Sequence, residues 1–288
     1  MSLRIVTCNA MVMAYEIVAD WAARHGHQIV LVVTSPAATA ERYGASYLDL
    51  VELAAPRRPV LTTSKLRAAA PLIAATRPDL LLSATFPHKL PDSVTSIPRL
   101  GAYNLHPTPL PRGRGPNPER LVYEGADTIG ATLHQTTAEL DSGPILCRRE
   151  APLPEELTGA AINATWWPLV GAVLEDGLAR VLAGEPGEPQ DEAQASYAAP
   201  FTPEERWLNW DRPLQLLRKQ VAVLAPDAFA TLDADPVTIL TLNAETVELP
   251  GAPPGTVLFR TEQEAIVRVQ DGVARVTYMP YEAGDHSD

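Results

Sequence analysis

The chain of 288 residues has few lysines and an excess of acidic side chains. Only three lysines, Lys65, Lys89 and Lys219, stand among 23 basic residues, and 35 acidic residues bring the net charge at pH 7 to −12. A protein that binds nucleic acid normally carries a basic patch, because the neutralised phosphates supply most of the affinity. The low count of positive charges therefore weighs against a nucleic-acid partner.

Cysteines and long apolar segments are scarce as well. Cys8 and Cys147 are too few for a disulfide framework or for a four-ligand zinc site. No apolar segment approaches the roughly 18 to 20 residues that span a bilayer, and the first residues lack the charged-then-apolar pattern of a signal peptide. We therefore expect a cytoplasmic protein that has no metal centre and no membrane segment.

The first 184 residues contain a regular alternation of strand and helix patterns. Apolar segments such as LRIVTCNAM, HQIVLVVTS and DLLLSATF predict buried strands, and helical patterns lie between them. This alternation is typical of an α/β fold, here a Rossmann-like, mostly parallel sheet with flanking helices. We assign residues 1–184 to a first domain of this kind.

The pattern changes after that domain. Residues 185–196 contain Gly, Pro and acidic side chains with almost nothing to bury, which is the composition of a linker. Residues 197–288 contain one helical pattern, followed by several short strand patterns separated by turns. This arrangement predicts a small C-terminal domain with an OB-like β-barrel.

Polar side chains cluster in the segment GAYNLHPTPLPRGRGPNPER, which follows a predicted strand. Asn104 and His106 are two residues apart, so their side chains point to the same side at the carboxyl end of this strand, where open parallel sheets bind ligands. An amide can donate to a carbonyl oxygen that gains negative charge, and an imidazole can accept a proton near neutral pH. The turn AELDSGPIL offers two carboxylates that could hold the imidazole, those of Asp141 and Glu139.

Two segments together, NLHPTPLPRGRGPNPE and LHQTTAELDSGPIL, resemble the 10-formyltetrahydrofolate-dependent formyltransferase family. The resemblance implies an enzyme that transfers a formyl group from 10-formyltetrahydrofolate to an amine, releases tetrahydrofolate and needs no metal. It assigns Asn104 to the formyl oxygen, His106 to the proton or the developing oxyanion, and Asp141 to the orientation of His106. The last third of the chain resembles the OB-like barrel of methionyl-tRNA formyltransferases, which belong to this family.

The resemblance also implies residues that bind the donor. They lie after the third strong strand, in the Pro-rich turn and in the loop before Asp141: Phe86, His88, Lys89, Leu90, Thr108, Pro109, Leu110, Pro111, Thr137, Ala138, Glu139 and Leu140. Arg114 matches an Arg of the family, and its role stays open between structure and the binding of a substrate anion. His134, on the strand before Asp141, is interpreted as a packing residue. Gly113 stands where the family has an aromatic side chain, so this edge of the site differs from the family pattern.

The acceptor amine is the point on which alternatives stay open. From residue 200 onward there are 14 acidic and 7 basic residues, a net charge of −7, and the loop TSPAATAERYGASYLDL has one Arg and two acidic residues. Since phosphate contacts dominate affinity for nucleic acid, we favour a small-molecule amine or hydroxylamine, such as an amino sugar nucleotide, an amino acid or a natural-product intermediate. The alternative is methionyl-tRNA, and the second alternative is a non-catalytic folate-binding or scaffold protein of the same fold.

Overall fold

The computed structural model describes residues 2–36, 46–247 and 251–282, with side chains from residue 49 onward in the second range. Most of the loop TSPAATAERYGASYLDL lies outside the described residues. The chain forms two compact units, each built from three segments: residues 1–118, 130–151 and 166–197 in the first, and residues 119–129, 152–165 and 198–288 in the second. The domain boundaries at residues 184 and 197 stay a prediction.

The first unit contains a seven-stranded sheet. Its strands are β1 (Arg4–Asn9), β2 (Gln28–Thr34), β3 (Val60–Thr62), β4 (Leu80–Ala84), β5 (Ala102–His106), β6 (Thr128–Gln135) and β7 (Ile145–Pro152). They follow the order β3-β2-β1-β4-β5-β6-β7. The neighbours from β3 to β5 pair in parallel, and β6 pairs antiparallel to β5.

Seven α-helices occur in the described residues. They are α1 (Val12–Arg24), α2 (Ser46–Ala54), α3 (Leu66–Ala75), α4 (Asp92–Thr95), α5 (Arg120–Tyr123), α6 (Gly159–Leu182) and α7 (Leu214–Leu224). None of the helices in this described part of the chain combines the length and the hydropathy that crossing a bilayer requires.

The central strand shows why the apolar segments fold as they do. All five residues of β4, with the sequence LLLSA, are buried. A parallel strand that is covered on both faces is apolar throughout and does not alternate. On β6, the carbonyl of Gly130 accepts a hydrogen bond from the indole N–H of the buried Trp166 at 2.8 Å. The polar N–H group of this buried side chain therefore has a partner.

The second unit contains a five-stranded antiparallel sheet. Its strands are β8 (Ala228–Leu232), β9 (Asp235–Glu245), β10 (Val257–Arg260), β11 (Glu264–Val269) and β12 (Gly272–Pro280). They follow the order β10-β11-β12-β9-β8. Leu217, Val221 and Leu224 of α7 join the core of this sheet. The predicted fold class, a mostly parallel α/β sheet with a small C-terminal β domain, is confirmed.

Candidate active site

The candidate site lies where β5 ends. Asn104 and His106 are the third and fifth residues of this five-residue strand. In the antiparallel register with β6, Asn104 lies opposite His134 and His106 lies opposite Thr132. The pairing therefore places a second histidine beside the predicted Asn and His.

Asp141 closes this group of polar side chains from the loop between β6 and β7. Its Oδ1 accepts a hydrogen bond from Asn104 Nδ2 at 3.2 Å and lies 3.8 Å from His106 Nδ1. Its Oδ2 accepts the backbone N–H of Gly115 at 2.9 Å. Asp141 and His106 are each 6% exposed. The structure thus brings the three predicted catalytic side chains together on one buried carboxylate.

Hydrogen bonding determines which nitrogen of His106 is available. Nε2 lies 2.9 Å from the carbonyl oxygen of Gly113. A carbonyl only accepts, so Nε2 carries the proton, and Nδ1 of the neutral ring keeps a lone pair on the side of Asp141. The neutral imidazole can therefore accept a proton at Nδ1, next to a carboxylate that would stabilise the resulting cation.

Burial and charge set the protonation states of this pair. Burial lowers the pKa of His106 below its ordinary value, against the opposing effects of Asp141 and of the Gly113 carbonyl. Burial alone would raise the pKa of Asp141, but the imidazoles of His106 and His134 and the Gly115 N–H outweigh it and lower this pKa to about 2. At neutral pH the site holds a carboxylate beside a neutral imidazole.

His134 takes part in the same cluster. Its Nδ1 donates to the Gln135 carbonyl at 2.9 Å, so in the neutral ring Nε2 accepts, and this atom lies 3.3 Å from Asn104 Nδ2. His134 is 2% exposed and does pack inside the protein, but it also holds the amide of Asn104. The antiparallel pairing of β6 with β5 is the signal that identifies it, since only this pairing sets His134 opposite Asn104.

The Pro-rich turn that follows β5 is buried, and two hydrogen bonds hold it in place. All four of its predicted donor-binding residues, Thr108, Pro109, Leu110 and Pro111, are buried. The hydroxyl of Thr108 donates to the Gly113 carbonyl at 3.1 Å, and the N–H of Leu110 donates to Thr132 Oγ1 at 3.1 Å. The structure does not bring the fully buried side chain of Leu110 to a ligand surface.

A cleft of about 660 Å³ opens beside the strand end of β4. Of the predicted donor-binding residues, it is lined by His88, Lys89, Leu90 and Ala138. The rest of its wall comes from residues 64–68, in and before the first turn of α3, and from Pro91 and the carboxylate residue Asp92. Three cations line it: Lys65, Arg67 and Lys89. Among the described residues, none of the three has an ion-pair partner. The volume is that of a site for a small organic ligand.

Four other predicted donor residues, Phe86, Thr137, Glu139 and Leu140, are not among the residues that line this cleft. Phe86 packs on the core of the first unit and meets the ring of His88 edge-on, with 5.5 Å between centroids. His88 Nε2 in turn lies 2.9 Å from the hydroxyl of Ser35. In the loop before Asp141, the hydroxyl of Thr137 donates to the Glu139 carbonyl at 3.0 Å, whereas Leu140 is 48% exposed.

Arg114 is held by other protein groups. Its guanidinium donates to the carboxylate of Glu192 at 2.7 and 2.9 Å and to Gln190 Oε1 at 2.8 and 3.1 Å. The hydrogen bond to Glu192 raises the pKa of Arg114 further. Of the two roles open for Arg114, these contacts favour the structural one. Within the described residues no group of three or more His, Cys, Asp or Glu side chains is arranged to hold a metal ion.

Family models match both parts of the chain. The model described as "Formyl transferase" matches residues 5–166, and the model described as "Formyl transferase, C-terminal domain" matches residues 200–287. The chain is 34% identical over 266 residues to the methionyl-tRNA formyltransferase of Thiobacillus denitrificans, covering 90% of this chain and 85% of that protein. It is 31% identical over 288 residues to the methionyl-tRNA formyltransferase of a Roseiflexus species, covering 97% of this chain and 89% of that protein.

Solved structures share the fold. HypX from Aquifex aeolicus, in complex with tetrahydrofolic acid, superposes with a TM-score of 0.67 at 18% identity; the match covers 96% of this chain and 44% of that one. The N-formyltransferase from Helicobacter canadensis superposes with a TM-score of 0.66 at 13% identity, covering 96% of this chain and 99% of that one. Membership of the formyl transferase family confirms the predicted enzyme class and the predicted formyl donor, 10-formyltetrahydrofolate. The chain belongs to the formyl transferase family and is a folate-dependent N-formyltransferase.

Proposed function

We propose that Asn104, His106 and Asp141 carry the transfer of the formyl group from 10-formyltetrahydrofolate to a primary amine. One observation supports this proposal above all: two polar side chains of β5 meet the buried carboxylate of Asp141, with 3.2 Å from Asn104 Nδ2 and 3.8 Å from His106 Nδ1 to Asp141 Oδ1. The donor supplies an activated formyl group. The protein has to bind it, stabilise negative charge on its oxygen and remove a proton from the amine.

Each side chain has a role that its contacts allow. As the amine nitrogen bonds to the formyl carbon, Nδ1 of His106 accepts the proton that the amine loses, and Asp141 stabilises the imidazolium. The bond from the formyl carbon to N10 of the donor then breaks, and tetrahydrofolate leaves with a proton on N10. Asn104 turns its amide toward the formyl oxygen by giving up its longer hydrogen bond, the 3.3 Å contact with His134 Nε2. Its shorter bond to Asp141 then keeps the amide aligned.

The cleft fits the donor in size and in charge. Its volume of about 660 Å³ suits a folate. Folates end in a glutamate whose carboxylates need cationic partners, and Lys65, Arg67 and Lys89 line the cleft. Leu66, Leu90 and Ala138 offer apolar wall to the flat rings.

Methionyl-tRNA is the acceptor that the relatives favour. Two relatives of this name are 34% and 31% identical over at least 90% of the chain. This support is stronger than the support for the small-molecule amine expected from the sequence. It requires tRNA to bind with few free cations among the described residues of the second unit.

A small-molecule amine is the second candidate, and the charges of the second unit favour it. Five of its basic side chains are tied to carboxylates: Arg120 to Glu205, Arg206 to Asp227, Lys219 to Asp127, Arg260 to Asp235 and Arg275 to Glu245. Cations that are already paired with carboxylates neutralise few phosphates, so their approach releases few of the counterions condensed on a nucleic acid. The Helicobacter canadensis enzyme, solved with dTDP-3-aminofucose, shares only the fold at 13% identity.

One assay separates these possibilities. The protein is incubated with 10-formyltetrahydrofolate and either initiator methionyl-tRNA or a panel of amino sugar nucleotides and amino acids, and tetrahydrofolate release is measured at low and at high salt. Release that depends on methionyl-tRNA supports the first candidate. Because few cations of the described second unit are free, its efficiency should fall far less with salt than the roughly 10³-fold typical of strongly basic nucleic-acid-binding surfaces. Release only with a small amine supports the second. Tight donor binding without release under any condition contradicts the catalytic proposal and favours the non-catalytic one.

A further inference from the structure

The predicted linker makes specific contacts with the site. We call residues 187–196 the crossing segment. Its Glu188 exchanges two backbone hydrogen bonds of 2.8 Å with Ile145, and a Cβ on Gly187 would lie 2.7 Å from Pro144. At its other end the Ser196 carbonyl accepts the N–H of Arg114 at 2.9 Å. A segment with almost no apolar side chains is therefore tied down by hydrogen bonds at both ends.

Gln190 makes the central contact of the crossing segment. Its Nε2 donates to the carbonyl of Asp141 and to the carbonyl of Gly143, each at 2.8 Å. Its Oε1 accepts from Arg114 Nε and Nη2. Both ends of one amide are thus used: its N–H groups contact the Asp141 loop, and its oxygen contacts the turn that follows His106.

The Asp141 loop is a place where such support matters. Asp141 has φ +52°, a left-handed conformation that non-glycine residues seldom adopt and that costs free energy. The chain passes so close to Gln135 that a Cβ on Gly143 would lie 1.8 Å from the Gln135 carbonyl oxygen. The loop therefore holds its carboxylate in a conformation that its neighbours have to maintain.

The same segment also reaches the turn that holds His106. Ser196 Oγ accepts the N–H of Gly113 at 3.0 Å, and the carbonyl of Gly113 is the acceptor for His106 Nε2. The turn and the loop thus share one support, although they lie about 30 residues apart in the sequence.

We propose that Gln190 is a positioning residue: its amide fixes the backbone of Asp141 so that the carboxylate faces His106 and Asn104. The inference rests on the proposed function, because it takes Asp141 as a residue of the reaction. None of the four hydrogen bonds of the Gln190 amide goes to the carboxylate or to a residue that lines the cleft, so its loss should lower kcat and leave donor binding nearly intact.

Three variants of the full chain test this role. Gln190→Ala removes all four hydrogen bonds of the amide, and Gln190→Glu keeps the size while replacing the N–H donors with a carboxylate that repels two carbonyls. Gln194→Ala is the matched control, because Gln194 lies four residues on and its amide, among the residues that the structure describes, donates only to Asp191, at 2.7 Å. For each, we would measure kcat, the KM for the donor, the melting temperature and hydrogen–deuterium exchange of peptides over residues 136–143.

We expect both Gln190 variants to lose about 10- to 100-fold in kcat, with the KM for the donor within threefold of wild type. Exchange should accelerate at least threefold over residues 136–143 and stay unchanged over β1 and β4, while Gln194→Ala matches wild type throughout. Exchange and kcat at wild-type values in Gln190→Ala would overturn the proposal, as would a rise in KM with kcat unchanged. Accelerated exchange in a protein whose wild type has no activity would contradict the proposed function and leave the positioning role supported.

Discussion

Cations are used differently in the two regions of the molecule. In the cleft of the first unit Lys65, Arg67 and Lys89 line an open volume without ion-pair partners among the described residues. In the second unit Arg120 donates to Glu205 at 2.8 and 2.9 Å, and Lys219 donates to Asp127 at 2.6 Å. The first set is free to meet an anionic ligand, and the second set is engaged in holding the fold.

The contrast matters because the chain has so few positive charges. Three cations around one opening create a local positive potential in a protein of net charge −12, so their position favours a role in binding an anion. Paired cations in the second unit contribute to the stability of the fold. Breaking an exposed ion pair costs little free energy, whereas removing one partner of a buried pair costs more. The predictions below test this division of roles, from the largest expected effect to the smallest.

The most severe change is at the chemical centre of the first unit. His106→Gln keeps an N–H donor for the Gly113 carbonyl and removes the proton acceptor. We expect kcat/KM to fall by about 10²- to 10⁴-fold, the usual contribution of general base catalysis, while the circular dichroism spectrum stays unchanged. His25→Gln is the control, since His25 is an exposed histidine paired with Glu175. A loss of less than tenfold would contradict the assignment of His106.

We expect a substitution in the second unit to lower the stability of the protein and to leave its catalytic rate unchanged. Arg120 is 8% exposed and also donates to the carbonyls of Ala199 and Pro200. Arg120→Met leaves these acceptors and Glu205 without their donor, so we expect the free energy of unfolding to drop by about 2–3 kcal/mol. Urea denaturation of the wild type and of Arg120→Met measures this difference in the free energy of unfolding.

The matched control for that stability change is Arg275→Met. Arg275 pairs with Glu245 at 2.7 Å, and its side chain is 44% exposed. We expect a change below about 1 kcal/mol, because solvent screens exposed pairs. Equal losses of unfolding free energy in Arg120→Met and Arg275→Met would contradict the expectation that the more buried ion pair contributes more to stability.

Removing the free cations of the cleft should weaken donor binding. For the double variant Lys65→Ala/Lys89→Ala we expect the KM for the formyl donor to rise about tenfold, equal to about 1.4 kcal/mol. The difference from wild type should shrink at high salt, where charges are screened. Arg275→Ala is the control and should leave this KM unchanged. A KM insensitive to the loss of both lysines would place the donor elsewhere.

The smallest effect is a change in titration. Burial lowers the pKa of His106, so the folded protein keeps a neutral imidazole to pH values below 6.5. In the unfolded chain the same imidazole takes up a proton near pH 6.5. Folding therefore becomes less favourable as the pH falls through this range. Nuclear magnetic resonance of the ring nitrogens should give a midpoint below 6.5. Asp141→Asn removes the opposing charge and should lower the midpoint further, whereas a midpoint above the ordinary histidine value in either protein would contradict the neutral site.

Local chemistry determines the features that could be predicted. The apolar LLLSA of β4 and the two-residue spacing of Asn104 and His106 depend on neighbours in sequence, and the structure agrees with both. His134 and Gln190 depend on pairings with distant segments, so no local pattern identifies them. The crossing segment has the composition of a linker, and only its long-range hydrogen bonds distinguish it from one.

The contact between Gln190 and Asp141 joins residues 49 positions apart. A ribosome that has added residue 141 has already made Asn104, His106 and Asp141, but it has not yet made the Gln190 amide that donates to the Asp141 carbonyl. A nascent chain that ends before residue 190 therefore contains all three side chains of the candidate site and lacks one of the hydrogen-bond donors to the Asp141 loop.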